Sequence, residues 1–165
     1  MIKTIGIDPG LSETGIGIAV GNGQKIDDFS FGSIHTSKKD SLSTRLHQIF
    51  LELLQIIKQE KPDIMIVEDI FSLKKYPKSG ITLGKVTGVI LLAGCQVDVK
   101  VTEIPVREAK KALTGNGNAS KIQLERAVRH FLNITDPIRP DHASDAMALA
   151  LIGLFRYENP NTKSV

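Results

Sequence analysis

Apolar runs alternate with polar segments along the 165 residues, and their spacing divides the chain into ten elements. Lys3–Ile7 reads as a buried strand, Thr14–Val20 as a second, and Lys25 to about Ser33 as a third. Gly21-Asn22-Gly23, between the second and third, accepts positive φ and predicts a hairpin turn. From Ser41 to Lys58, Leu42, Leu46, Ile49, Phe50, Leu53 and Ile57 recur at three- and four-residue spacing, which predicts a helix that Pro62 ends. Ile64–Val67 is continuously apolar, as in a strand covered on both faces, and its place after a helix makes it parallel to the first. Phe71–Gly80 reads as a loop of basic, polar and aromatic residues, Leu83–Cys95 as a helix, and Val97–Ile104 as containing a further strand. Pro105 begins a helix that stops near Gly115, and Ser120–Phe131 is another. Asp141 is the expected N-cap of the last helix. Ala146–Ile152 makes that helix apolar on all sides, so it is buried.

This order predicts an α/β fold: a mixed five-stranded sheet, three antiparallel strands and then two parallel ones, flanked by helices. The first strand is expected at the centre, with the C-terminal ends of strands one and four side by side. Asp8 and Glu68 stand at those ends, on the sheet edge where open α/β sheets gather their sites. Residues 1–158 read as a single domain without repeats or linkers, and 159–165 as a disordered tail.

A carboxylate that ends a buried strand is held rigidly, at an energetic cost unless it is paired or binds a cation. Asp8 closes Ile5-Gly6-Ile7, and Glu68 closes Ile64-Met65-Ile66-Val67. In Asp141-His142-Ala143-Ser144-Asp145, His142 lies three residues before Asp145, on the same helix face. Asp141, four before it, can face the same way. Acidic groups that each open onto a buried element point to a divalent-metal centre of mainly oxygen ligands.

Charge adds one feature. The net charge is +3, but residues 71–130 hold eleven Lys or Arg against four acids, an excess of seven that leaves the rest negative by four. A basic middle beside an acidic cluster suits a polyanion held over metal ions. On charge alone it reads as a solvated lysine-rich surface. The composition, 41% hydrophobic and 24% charged, is that of a soluble globular protein, and no apolar stretch can span a bilayer. Asp8 and Pro9 interrupt any signal-peptide core, and the one cysteine, Cys95, has no intrachain partner; both lead to a cytoplasmic expectation without membrane attachment. Cys95, after Leu91-Leu92-Ala93-Gly94, reads as a core residue.

Taken together and in order, several segments resemble the RuvC-type Holliday-junction resolvases, nucleases with the ribonuclease H-like fold. They are Gly6-Ile7-Asp8-Pro9-Gly10 with Thr14-Gly15; Val67-Glu68-Asp69-Ile70-Phe71; Leu83-Gly84 with Gly88-Val89; Lys110, Gly115, Gly117 and Lys121; and Asp141-His142-Ala143-Ser144-Asp145-Ala146. The resemblance covers nearly the whole chain. It implies a catalytic and metal-binding tetrad of Asp8, Glu68, His142 and Asp145, in which the histidine position is aspartate in some members. It also implies Mg²⁺ or Mn²⁺, two ions per site, and a homodimer that nicks two strands of like polarity in a four-way DNA junction, leaving 5′-phosphate and 3′-hydroxyl ends. The branch-migration complex RuvA/RuvB is the implied partner in recombination and repair. Lys110 and Lys121 match lysines near the scissile phosphate, and Phe71 matches an aromatic set against unstacked bases. Lys74, Lys75, Lys78 and Lys85 are the further DNA-binding expectations. The segment Lys74–Gly80 is more basic than the family pattern and a residue longer. Thr87 stands where an arginine is common, with Lys85 as its expected replacement.

Each residue alone has a plainer reading. Asp8 can start a turn, Glu68 can be a solvated strand end, and His142 an exposed first-turn residue. Phe71 alone is core, Lys110 and Lys121 are solvated, Asp141 is a cap, and Asp69 is surface. Gly84 and Gly88, four apart, allow either a dimer seam or close packing on the protein's own sheet. Gly-Ile-Asp-Pro-Gly also resembles the first phosphate loop of sugar kinases and actin-like ATPases; those need a second, similar domain that 165 residues do not supply. A ribonuclease H-like nuclease acting on RNA or an RNA–DNA hybrid, and a non-catalytic junction-binding protein, are the alternatives to a junction nuclease.

Overall fold

Apolar character on both faces decides which strand is central. β1 (Ile2–Asp8) is buried almost throughout, while β3 (Lys25–His35), at the edge, is exposed or half-buried at every position but Ile34. A computed structural model of the protein describes residues 1–69 and 77–157, with side chains at 77 and 78 excepted. β2 (Glu13–Asn22), β4 (Ile64–Glu68) and β5 (Lys100–Ile104) complete a five-stranded sheet of order β3-β2-β1-β4-β5. β1 pairs antiparallel with β2 and parallel with β4, and β4 is parallel to β5. This is the expected mixed sheet with the first strand at its centre.

The helices are α1 (Leu42–Glu60), α2 (Pro77–Cys95), α3 (Val106–Thr114), α4 (Lys121–Leu132) and α5 (Asp141–Arg156). The side-chain period of two sends Ile5 and Ile7 to one face, where they pack with Ile49, Leu53 and Ile57 of α1 and Val86 and Ile90 of α2. Thr4, Gly6 and Asp8 turn to the other face, towards α5. There the Thr4 hydroxyl donates to the Ala150 carbonyl at 2.7 Å. The helix lies unusually close to the sheet. A Cβ on Gly6 would stand 2.1 Å from the Ala146 carbonyl oxygen, and one on Gly15 would stand 1.9 Å from that of His142.

Four local expectations need correction. The hairpin turn falls at Gly23-Gln24, because Asn22 pairs with Lys25 and the register shifts at Val20/Gly21; Gly23 takes the positive φ, at 59°. α2 starts at Pro77, so the polar residues 77–80 belong to a helix and not to a loop. Pro140 is the residue that caps α5, without a side-chain bond; Asp141 is already helical, and its carboxylate is taken by Arg139. Cys95 is exposed, since it is the last residue of α2 and projects beyond the packed face. Phe71, Lys74, Lys75, the side chain of Lys78 and the tail 159–165 lie outside the described residues.

The close approach of α5 gives a test. Gly6→Ala and Gly15→Ala are expected to cost at least the ~1–3 kcal/mol typical of overpacking, because the obstructing atoms are backbone. Gly32→Ala, whose Cβ would meet nothing within 4 Å, is the control expected to be neutral. Urea unfolding midpoints of the three variants check this.

Candidate active site

The parallel register pairs Ile7 with Val67, which sets Asp8 and Glu68 side by side at the ends of neighbouring strands. Asp8 is 6% exposed, too buried for a free carboxylate. α5 crosses above it, and His142 Nδ1 lies 2.6 Å from Asp8 Oδ2. One turn further on, Asp145 faces the same cleft and accepts a hydrogen bond from Lys121 Nζ at 3.1 Å. Lys121 is the first residue of α4. It is fixed by a capping box in which Ser120 Oγ accepts from the Gln123 amide at 3.2 Å and Gln123 Oε1 accepts from the Ser120 amide at 2.8 Å. The four residues expected as a tetrad therefore meet, joined by Lys121.

The charges are unbalanced. Burial first, then a hydrogen bond with Asp8 and repulsion from Asp8 and Asp145, push the Glu68 carboxyl up to about 8. Burial raises Asp145 as well, and outweighs the opposing pull of Lys121. His142 is raised chiefly by its hydrogen bond to Asp8. Asp145 likewise holds the Lys121 ammonium in its charged form. Three carboxylates in a half-buried cleft thus have one lysine and one histidine to offset them. This donor set, hard oxygens with one imidazole nitrogen, fits a divalent cation. The side chains stand in pairs, Asp8 with His142 and Asp145 with Lys121. Among the described residues no three acidic, histidine or cysteine groups converge on one point ready to hold an ion. The pairs have to part for a metal to enter.

Glu13 belongs to this neighbourhood and carries no motif that would mark it. It is the first residue of β2, its negative charge raises His142, and its Oε1 is buried with no hydrogen bond among the described residues. The ring Nε2 of His35 lies 3.8 Å from that oxygen. Lys85 is exposed on α2 and Lys110 half-buried on α3, each without an ion pair among the described residues. Thr87 is 4% exposed, so this position faces inward and offers no phosphate contact.

The raised groups make stability depend on pH. The unfolded chain releases the Glu68 proton near 4.5, whereas the folded chain keeps it to about 8. Between these values the folded state binds more protons, so stability falls as pH rises. His142, raised above 6.5, acts in the same direction, its contribution being lost as pH climbs through its folded value. The melting temperature of chelator-treated protein is expected to drop from about pH 5 to about pH 8. Glu68→Gln is expected to remove the larger part of that drop. Calorimetry of both proteins across this range tests it, and parallel curves would place Glu68 outside the cluster.

Residues 4–153 match the family model described as "Crossover junction endodeoxyribonuclease RuvC". The enzyme of that name from Thermosipho melanesiensis is 38% identical over 149 residues, 90% of this chain and 94% of the relative. The one from Carboxydothermus hydrogenoformans is 37% identical over 155 residues, 94% of this chain and 97% of the relative. Among solved structures, T. thermophilus RuvC in complex with a Holliday junction substrate superposes with a TM-score of 0.87, at 28% identity and 94% coverage of both chains. The yeast mitochondrial Holliday junction resolvase Ydc2 shares the fold at a TM-score of 0.59 and 12% identity, over 93% of this chain and 77% of that one. A match along almost the full sheet and all five helices, with Asp8, Glu68, His142 and Asp145 drawn to one cleft, places the chain in the RuvC family of crossover junction endodeoxyribonucleases.

Proposed function

We infer that this protein resolves four-way DNA junctions by metal-dependent hydrolysis of phosphodiester bonds. The observation that carries this reading is the cleft itself: Asp8 on the central strand, against Glu68 from β4 and His142 and Asp145 from α5, in a chain that matches the family from residue 4 to residue 153. Water attacks phosphorus, the bond to the 3′ oxygen breaks, and the products are a 5′-phosphate and a 3′-hydroxyl. Two Mg²⁺ or Mn²⁺ ions would supply an activated water and stabilise the leaving oxygen. Asp8, Glu68 and Asp145 would be the oxygen ligands. His142, with Nδ1 engaged by Asp8, holds a proton beside the reacting phosphate or gives it up to act as a nitrogen ligand. Lys121 Nζ, close to Asp145 and largely exposed, offsets charge developing on the phosphate.

Two symmetric cuts need two such clefts, which supports a homodimer. Exposed Ile81, Lys85, Gly88 and Leu92 follow one another at helical spacing along α2, and a Cβ on Gly88 would meet nothing within 4 Å. A stripe with that much apolar surface is the seam this reading favours. The second expectation for Gly88, packing on the protein's own sheet, is thereby disfavoured. Among the described residues no helix is long and apolar enough to cross a membrane. The reading sets the protein to work on cytoplasmic DNA beside the RuvA/RuvB branch-migration proteins.

Four-way junction, RNA–DNA hybrid and ATP, each offered with Mg²⁺ or Mn²⁺, separate this function from its alternatives. Only the junction is expected to be cut. Asp8→Asn, Glu68→Gln and Asp145→Asn are expected to abolish cutting and to leave junction binding largely intact. Lys121→Ala is expected to slow the single-turnover rate about 10²–10³-fold, the usual loss for one charge-stabilising donor. His142→Asp, the residue of other family members, keeps measurable activity where His142→Ala does not, and shifts the Mn²⁺-over-Mg²⁺ preference because a carboxylate is the harder ligand. Alanine matching wild type at every pH would remove His142 from the site. Leu92→Glu is expected to shift sedimentation from dimer to monomer.

A further inference from the structure

The turn that follows Asp8, residues 9–12, is held from outside by one arginine. Arg45, in the first turn of α1, donates from Nε to the Thr36 hydroxyl and from Nη2 to the Ser12 hydroxyl, each at 2.8 Å. Thr36 comes directly after β3, and its own hydroxyl donates onward to the Leu11 carbonyl. The Thr36 amide donates to the Ser12 carbonyl at 3.1 Å, which carries the β2–β3 ladder one step past Glu13 and His35. Within the same stretch the Thr14 hydroxyl donates to the Gly10 carbonyl at 2.7 Å. The turn is thus tied at Gly10, Leu11 and Ser12, and Arg45 connects the last two ties to α1.

The chemistry of this clasp is unusual for an arginine. Arg45 is half-buried, yet both its partners are neutral hydroxyls, and it has no ion pair among the described residues. What the two hydroxyls use is the shape of the guanidinium. Nε and Nη2 donate in parallel from one rigid edge, so side chains from two separate segments are set next to each other. A lysine carries the same charge but has no such fork.

The other face of the turn meets the cleft. A Cβ on Gly10 would lie 3.8 Å from His142 Cε1, so the backbone at Gly10 stands against the edge of the imidazole. Asp8 engages Nδ1 of the same ring at 2.6 Å. The His142 side chain is 41% exposed, so few other contacts confine it.

We propose that Arg45 is a positioning residue: by clasping the turn 9–12 to the end of β3, it keeps the backbone at Gly10 against the His142 imidazole and fixes where that ring meets the reacting phosphate. Arg45 acts through the turn and not on the substrate. The proposal rests on the junction-cleaving reading for its effect on rate, while the place of the ring is read without DNA.

The chain has four histidines, and His142→Ala identifies the His142 ring signals in the NMR spectrum of the full chain. Arg45→Lys keeps the charge and loses the fork. It is expected to shift and broaden the His142 Cε1–H signal and to leave that of His130, on α4, in place. Thr36→Val and Ser12→Ala, each lacking one hydroxyl of the clasp, are expected to move the signal in the same direction. In single-turnover cleavage of a four-way junction with Mg²⁺, Arg45→Lys is expected to lose about 10²-fold in rate, the scale of a small misplacement, with junction affinity unchanged. A His142 signal or a cleavage rate that stays at its wild-type value overturns the proposal. So does an Arg45→Lys protein as fast as wild type beside an Arg45→Ala protein that binds the junction less tightly with a salt slope lower by about one, since that marks a phosphate contact. Should Arg45→Lys fail to fold, Ser12→Ala decides, because Ser12 is exposed and gives up a single side-chain bond to Arg45. Movement of the His130 signal together with that of His142 in this variant marks general loosening and also overturns the proposal. A wild-type protein that cuts no junction overturns the function, and the ring signal then judges the clasp by itself.

Discussion

Everything at the carboxylate cleft depends on how near α5 can come to the sheet. Most helices stand off a sheet by the thickness of two layers of side chains. Here Gly6, Gly15 and Gly17 remove one layer along the line where the helix crosses, and helix backbone rests on strand backbone. Gly6 is paired with Gly17, and Asp8 with Gly15, so the small residues form a patch across two strands and not a row along one. The patch leads directly to Asp8. A helix seated in it has its first turn over that carboxylate and brings His142 within hydrogen-bond distance. With larger residues there, the same sequence motifs would sit too far apart to share a metal.

That seating has an electrostatic cost which the protein offsets in a temporary way. Three carboxylates are drawn together, and the protein holds them apart from one another with a proton on Glu68, an imidazole against Asp8 and an ammonium against Asp145. Each of these is displaceable. A cluster balanced by covalently fixed, buried arginines would be more stable without metal and less able to accept one.

Much of this was legible from residue order. The continuous apolar runs before Asp8 and Glu68 locate two buried parallel strands, and parallel neighbours end together. The all-round apolar stretch after Asp145 marks a buried helix, and its one polar turn then has to face something. What was not legible comes from tertiary contact. Glu13 carries no pattern, since its closeness to His142 exists only once β2 has paired with β1. The start of α2 at Pro77 was hidden by Lys78, Ser79 and Gly80, a polar run that reads as loop although the backbone is helical there. Asp141 is a good capping residue, yet Pro140 takes that place and Arg139 holds the carboxylate. The exposure of Cys95 follows from its standing at the very end of a helix, which composition does not reveal.

The contact between Asp8 and His142 joins residues 134 apart, close to the two ends of the described chain. Synthesis delivers Asp8 among the first residues and the helix bearing His142 and Asp145 among the last. A nascent chain can therefore complete the meander, α1 and β4 without possessing any site for hydrolysis. An interrupted chain that ends before residue 141 lacks His142 and Asp145 and also the helix that covers this face of the sheet. For an enzyme that cuts DNA, this couples chemical competence to the completion of folding: no fragment from the first three quarters of the sequence can act as a partial nuclease.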